Sequence, residues 1–143
     1  MEEMFQRVAA HALIVNNEGK MLVAHRMATN DWKPNEWDIF GGSIEMGELD
    51  PEEALAREVM EEAGLKVKVI RLLDVYASLS NQQRHQFQMT YLCEYLGGEI
   101  VMEENDHDEY RWVTVQELAE LPNKIAFLES LSNNLNKNKF DIR

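Results

Sequence analysis

Seven glutamates fall between Gly41 and Leu65, in the stretch GGSIEMGELDPEEALAREVMEEAGL. If the second half is helical, Glu58, Glu61 and Glu62 share one arc, since each residue turns the helix by ~100°. Each like-charge pair at that spacing costs ~0.2–0.5 kcal/mol. The C-terminal half of a helix also disfavours anions. Two chemistries fit such a cluster. One is a solvated acidic face. The other is a seat for a hard divalent cation such as Mg2+, which takes oxygen ligands. Small Ala54 leaves room beside the carboxylates. Arg57 is either a surface ion pair worth little or a bidentate holder of a neighbouring carboxylate.

Other chemistry is less well served. Gly42-Ser-Ile-Glu-Met-Gly47 has the glycine spacing of a phosphate loop, but Glu48 stands where such a loop needs Lys. His11, His25, His85 and His107 form no zinc pattern, and the Asp106/Asp108 loop lacks the glycine and spacing of an EF-hand. The single cysteine, Cys93, cannot form an intramolecular disulfide and reads as a small hydrophobe. Trp32, Trp37, Phe40, Tyr76 and Phe87 could stack a base or pack core and loops.

With 14 basic and 26 acidic residues the chain carries −12, which excludes nucleic acid and anionic membrane as partners. A phosphate substrate would therefore need a cation as intermediary. No apolar run approaches ~18 residues, so no membrane span is expected. The opening MEEMFQR is acidic and unlike a signal peptide, so the cytoplasm is the expected compartment. At 143 residues, without repeats or linkers, a single domain over 1–143 is expected.

The positioning elements follow from local signals. Asp50 as N-cap, Pro51 in the first turn, Glu53 closing a capping box and Gly64 as stop predict a helix. Leu55, Ala56, Val59, Met60 and Ala63 form its expected apolar side. Strands are expected at 8–15, 20–26, 37–40, 67–79 (bent near Asp74), 87–96, 100–102 and 110–113, with a loop over 29–36. Thr114 and Glu117 open a short helix to Leu121, and a last helix runs from Lys124. Strands and helices mix without regular alternation, which predicts an α/β sandwich around a mixed sheet.

Together these residues resemble the Nudix box. That pattern is Gly, five residues, Glu, seven residues, Arg-Glu, an apolar residue, any residue, Glu-Glu, any residue, Gly, an apolar residue. Gly42 and Glu48 match, and Arg57 to Leu65 match at every fixed position. Eight residues rather than seven separate Glu48 from Arg57, the extra one falling before Pro51. Phe40 stands where many relatives have Pro. The run-up through Ala24-His25-Arg26 and Trp37, and the later Glu109-Tyr-Arg-Trp-Val, are similar to MutT-like members.

The resemblance implies an α/β/α sandwich that hydrolyses a nucleoside diphosphate linked to another group. It implies metal ligands at Glu58, Glu61, Glu62 and the Gly41 carbonyl, with Mg2+ expected and Mn2+ an acceptable substitute. A later-loop carboxylate is expected to join them: Glu104 first, with Glu103, Asp106 and Asp108 as rivals. Glu58 is the first choice of general base, with Glu61 or Glu104 as alternatives. Arg26 either clamps a phosphate or is a strand-end surface residue. Gly42, Glu48, Arg57 and Gly64 are expected to be structural within the motif. Nucleoside triphosphates, oxidised ones included, lead as substrates; ADP-ribose, nucleotide sugars and dinucleoside polyphosphates stay open. An isopentenyl-diphosphate-isomerase-like enzyme would share the fold but lacks its Cys and His here, and a nucleotide sensor without catalysis is a third reading. The partner is a small nucleotide, and a homodimer is compatible.

Overall fold

The computed structural model describes residues 5–79, 84–101 and 106–142. In chain order these form β1 (Phe5–Val15), β2 (Met21–Arg26), β3 (Trp37–Asp38), β4 (Gly41–Ser43), α1 (Pro51–Ala63), β5 (Lys66–Leu79), β6 (Arg84–Gly97), β7 (His107–Val113), α2 (Val115–Glu120) and α3 (Ala126–Asn136). The strands build one mixed seven-stranded sheet in the order β3-β2-β1-β6-β5, with β4 added to β1 and β7 to β2. β1 and β6 run parallel, from Phe5 opposite Arg84 to Val15 opposite Glu94. The other pairs are antiparallel.

Alternation along β1 shows how the sheet is covered, because successive strand side chains point to opposite faces. Ala10, Ala12 and Ile14 pack with Leu55, Val59 and Ala63 of α1. Leu13 packs instead with Leu118 of α2 and with Phe127, Leu128 and Leu131 of α3. The result is the α/β/α sandwich expected, with a core on each side of the sheet.

α1 starts and stops where its local signals say. Asp50 is extended, and its carboxylate accepts from the backbone N–H groups of Glu52 and Glu53. Gly64 is left-handed and its N–H reaches the Met60 carbonyl. At α2 the full capping box between Thr114 and Glu117 forms.

Four expectations are corrected. Met60 is 47% exposed, because the residues of α1 buried against the sheet are Ala54, Leu55, Val59 and Ala63, with Ala56 partly buried beside them, a stripe turned away from Met60. Ile100 and Val101 form no strand; the Val101 N–H ties to the Ala63 carbonyl at the end of α1. The strand at 37–40 shrinks to Trp37–Asp38, with Ile39 and Phe40 buried in opposite cores. Lys124 does not start the last helix: its ammonium donates to the Ala119 and Leu121 carbonyls at the end of α2, and α3 begins at Ala126. The bend expected near Asp74 is present as register shifts against β6, one of them between Leu72 and Asp74.

Candidate active site

β4 and α1 build the site. Gly42 lies opposite Ala10 of β1, on the α1 side of the sheet. A Cβ at Gly42 would stand 2.4 Å from Glu58 Oε2, so the missing side chain lets that carboxylate rest against the strand. A Cβ at Gly41 would stand 2.1 Å from the Ala10 carbonyl oxygen, and φ there is 156°. Only glycine fits so close to a neighbouring strand. Buried Ala54 lines the same narrow crevice with Gly42 and Glu58.

Glu58 also hydrogen-bonds the Glu62 side chain one turn on. Partial burial pushes the Glu58 carboxyl above its usual range, outweighing the opposing pull of Arg57 and of that hydrogen bond, while Glu48 and Glu61 push the same way. Two carboxyl groups in contact must share a proton or share a cation. Glu61 is held differently: Arg57 Nη1 donates to it at 3.2 Å and Nη2 donates to Glu48 Oε2 at 2.7 Å. The second Glu48 oxygen accepts the Glu45 N–H at 2.7 Å. The extra residue before Pro51 is thus absorbed in the loop, and Glu48 still reaches Arg57. Gly64 closes the helix against the Glu99 carbonyl, 3.2 Å from where a Cβ would lie.

Among the described residues, no three His, Cys, Asp or Glu side chains converge tightly enough to enclose a metal ion. The reason is visible in the geometry, since Arg57 draws Glu61 aside while Glu58 and Glu62 meet. The donor chemistry nonetheless fits a hard cation: oxygen donors only, two of them in repulsive contact beside a strand that a glycine keeps clear. Glu103 and Glu104 lie outside the described residues. Of their rivals, Asp108 is engaged with His25 Nδ1 at 2.7 Å, and the Asp106 carbonyl accepts the Met27 N–H at 2.9 Å.

Arg26 does not stand free. Its Nε donates to the Trp32 carbonyl at 2.9 Å, its Nη1 pairs with Asp38 Oδ2 at 3.4 Å, and it lies 5.0 Å over the Trp32 ring. Trp37 and Phe40 are core residues, Tyr76 packs against the α3-side core, and Phe87 packs on His85. Sequence reasoning missed Asp38, which is buried with its carboxyl pushed up to about 6, mainly by burial and against the pull of Arg26. A charged residue between Trp37 and Ile39 was the available signal. It also missed Arg7, whose partners are far away in the chain. A cavity of about 710 Å³ lies at the far end of β1 among Val15, Leu92, Leu135 and Phe140. It contains none of the motif residues, so its size says nothing about the chemistry on α1.

The NUDIX domain family model matches residues 5–133. The chain belongs to the Nudix hydrolase family. It is 32% identical over 113 residues to a MutT-like protein of Streptomyces ambofaciens, covering 79% of this chain and 67% of that one. It is 26% identical over 129 residues to the nucleoside triphosphatase NudI of Escherichia fergusonii, covering 83% and 90%. It is 29% identical over 128 residues to the NAD-capped RNA hydrolase NudC of Chromobacterium violaceum, covering 89% of this chain but 46% of that protein, so this Nudix chain spans less than half of NudC. Its fold matches the crystal structure of a MutT protein from Methanosarcina mazei Go1 with a TM-score of 0.83, at 20% identity and over 99% and 100% of the two chains. No helix among the described residues is long and apolar enough to cross a membrane.

Proposed function

We propose that this Nudix chain is a Mg2+-dependent pyrophosphohydrolase acting on a nucleoside diphosphate linked to another group, with nucleoside triphosphates first, cleaved to monophosphate and pyrophosphate. The observation that carries this reading is the meeting of Glu58 and Glu62 beside Gly42, with Glu61 and Glu48 held on Arg57. Metal ligands are assigned to Glu58, Glu61, Glu62 and the Gly41 carbonyl, with Glu104 as the later-loop addition. Mg2+, or Mn2+ in its place, supplies the positive charge that a protein of −12 otherwise lacks for binding phosphates.

The residues of the chain then have separate tasks. A water attacks phosphorus and Glu58 takes its proton; a carboxylate with a raised pKa is the better base. Glu61 and Glu104 remain alternatives for that role. Arg57 fixes the carboxylates of Glu48 and Glu61, and Arg26, braced by Asp38 and Trp32, presents its remaining donors to a phosphate. The isomerase-like reading is disfavoured by Cys93, which is fully buried with its thiol pushed up to about 12 by burial, and so holds no thiolate for catalysis. A single domain over 1–143 and a cytoplasmic compartment complete the reading.

The test is release of phosphate or pyrophosphate with Mg2+ from a panel of nucleoside triphosphates, ADP-ribose, NADH, nucleotide sugars and dinucleoside polyphosphates. Turnover of at least one is expected. Inactivity across the panel would support a sensor, and near-normal turnover by the Glu62→Gln variant would overturn the site assignment.

A further inference from the structure

β4 has a second face. Ser43 follows Gly42 and therefore points away from Glu58, to the α3 side of the sheet. Arg7 of β1 lies on that side: its Nε donates to Ser43 Oγ at 2.8 Å and its Nη1 to Gln86 Oε1 at 3.3 Å. Both partners are neutral. Among the described residues no carboxylate forms an ion pair with Arg7. Asp38 is felt only at longer range and is paired with Arg26. The charge nearest in register is another cation, Arg84, two residues before Gln86 on the same face.

This is an unusual place for a cation. The guanidinium is half-buried, and burial, then Arg84, lowers its pKa. In a chain with 26 acidic residues, a partly desolvated arginine would ordinarily take one as partner. Two of its N–H donors are used, which leaves roughly three of five. Four residues along on the same face, His11 is buried on Phe127 at 4.3 Å, and its Nδ1 has no hydrogen-bond partner among the described residues. Burial, and the charge of Arg7, keep that imidazole neutral, with its pKa near 3. Gln88 is buried between them in register. The floor is thus neutral and polar, the rim is cationic, and among the described residues no acid joins them. A base carbonyl placed here would leave the cation unneutralised; an anion would not.

We propose that Arg7, seated on Ser43 and Gln86, binds a second anionic group of the substrate, a phosphate monoester separate from the anhydride that is cleaved. The inference rests on the reading of α1 as the pyrophosphate end of the site; within the nucleoside-diphosphate-linked class it moves preference from the nucleoside triphosphates to substrates that carry a further phosphate monoester. Gly42 and Ser43 are adjacent, so one ligand can reach from the Glu58 face of β4 to the Arg7 face. Arginine suits the task because its fork offers several donors to phosphate oxygens at once.

The test needs no turnover and no divalent ion. Arginine Nε–Hε resonances are followed by NMR in EDTA while the protein is titrated with adenosine 2′,5′-bisphosphate, adenosine 3′,5′-bisphosphate or adenosine 5′-monophosphate. A saturable shift of the Arg7 resonance is expected with a bisphosphate, at a midpoint at least ten-fold below that of the monophosphate. The Arg7→Gln variant should lose that preference, Arg7→Lys should keep part of it, and Glu62→Gln should keep all of it. If Arg7 merely clasps β1 to β4 and β6, its replacement lowers the melting temperature while the wild-type protein shows no preference. Equal midpoints for mono- and bisphosphates, or no Arg7 response to either bisphosphate, overturn the proposal. Because EDTA removes hydrolysis, failure of the metal-site reading appears only in the Mg2+ turnover assay and leaves this titration intact.

Discussion

One residue separates two surfaces of opposite character. Gly42 faces the carboxylates of α1, and Ser43 faces Arg7. On the first surface Glu58 and Glu62 meet with a surplus of negative charge; on the second the cation Arg7 hydrogen-bonds only neutral side chains among the described residues. Each surplus has the sign that would cancel the other, and the strand keeps them apart. Arg57 shows the contrast, because it sits among Glu48 and Glu61 and its charge is met within the chain. An acid pair on one side of the strand and, among the described residues, a cation without a carboxylate partner on the other are what the two proposed contacts rest on.

The largest effect that would break this comparison is on turnover. Glu58→Gln and Glu62→Gln should each lower kcat at least ~100-fold, the scale of a lost general base, with melting temperatures little changed. Steady-state kinetics with Mg2+ and a thermal melt check both halves, and EDTA should abolish activity outright.

The two surfaces should also titrate in opposite senses. Asp38, opposite the α1-side residue Ala24, has its carboxyl raised from 3.8 to about 6. A raised acid gives stability that is present below pH 4 and lost as pH climbs to about 6, so Asp38→Asn should gain on wild type over that range by roughly 2–3 kcal/mol. His11, on the α3 side, is lowered from 6.5 to about 3. Its contribution is present above pH 6.5 and fades as pH falls, so His11→Gln should flatten the acid side of the curve. Urea unfolding at several pH values reads both slopes.

The two glycines of β4 sharpen the contrast further. Gly41→Ala drives a Cβ into backbone and should cost ~1–3 kcal/mol in urea unfolding. Gly42→Ala meets a side-chain carboxylate that can swing away, so stability should hold while Mg2+ affinity falls ~10-fold by calorimetry. The smallest effect belongs to Arg57, whose charge is exposed. Arg57→Gln should change stability little and lower kcat by about ten-fold through loss of carboxylate orientation.

Features set by neighbours in the chain were legible without coordinates. Asp50, Pro51 and Gly64 act on groups a few residues away, and α1 begins and ends as they dictate. The strand at 8–15 was likewise legible, but which of its residues face which layer came only from the structure. Met60 was misplaced because helical spacing gives a stripe but not how that stripe is turned against the sheet beneath it. Arg7 carried no signal at all, since Ser43 and Gln86 lie 36 and 79 positions away. Glu48 was in between: its motif position was readable, but only the loop geometry shows that an extra residue leaves its bond to Arg57 intact.

The parallel pairing of β1 with β6 also sets a timetable for synthesis. Phe5 must wait for Arg84, 79 positions later, which at ribosomal speeds of ~5–20 residues per second is on the order of 4–16 s. β4 arrives much sooner and can occupy one edge of β1 along Ala9, Ala10 and His11. The other edge stays open through the whole interval, an apolar strand without its partner. A nascent chain halted near Leu79 should therefore be the form most dependent on chaperones, and the one most inclined to aggregate.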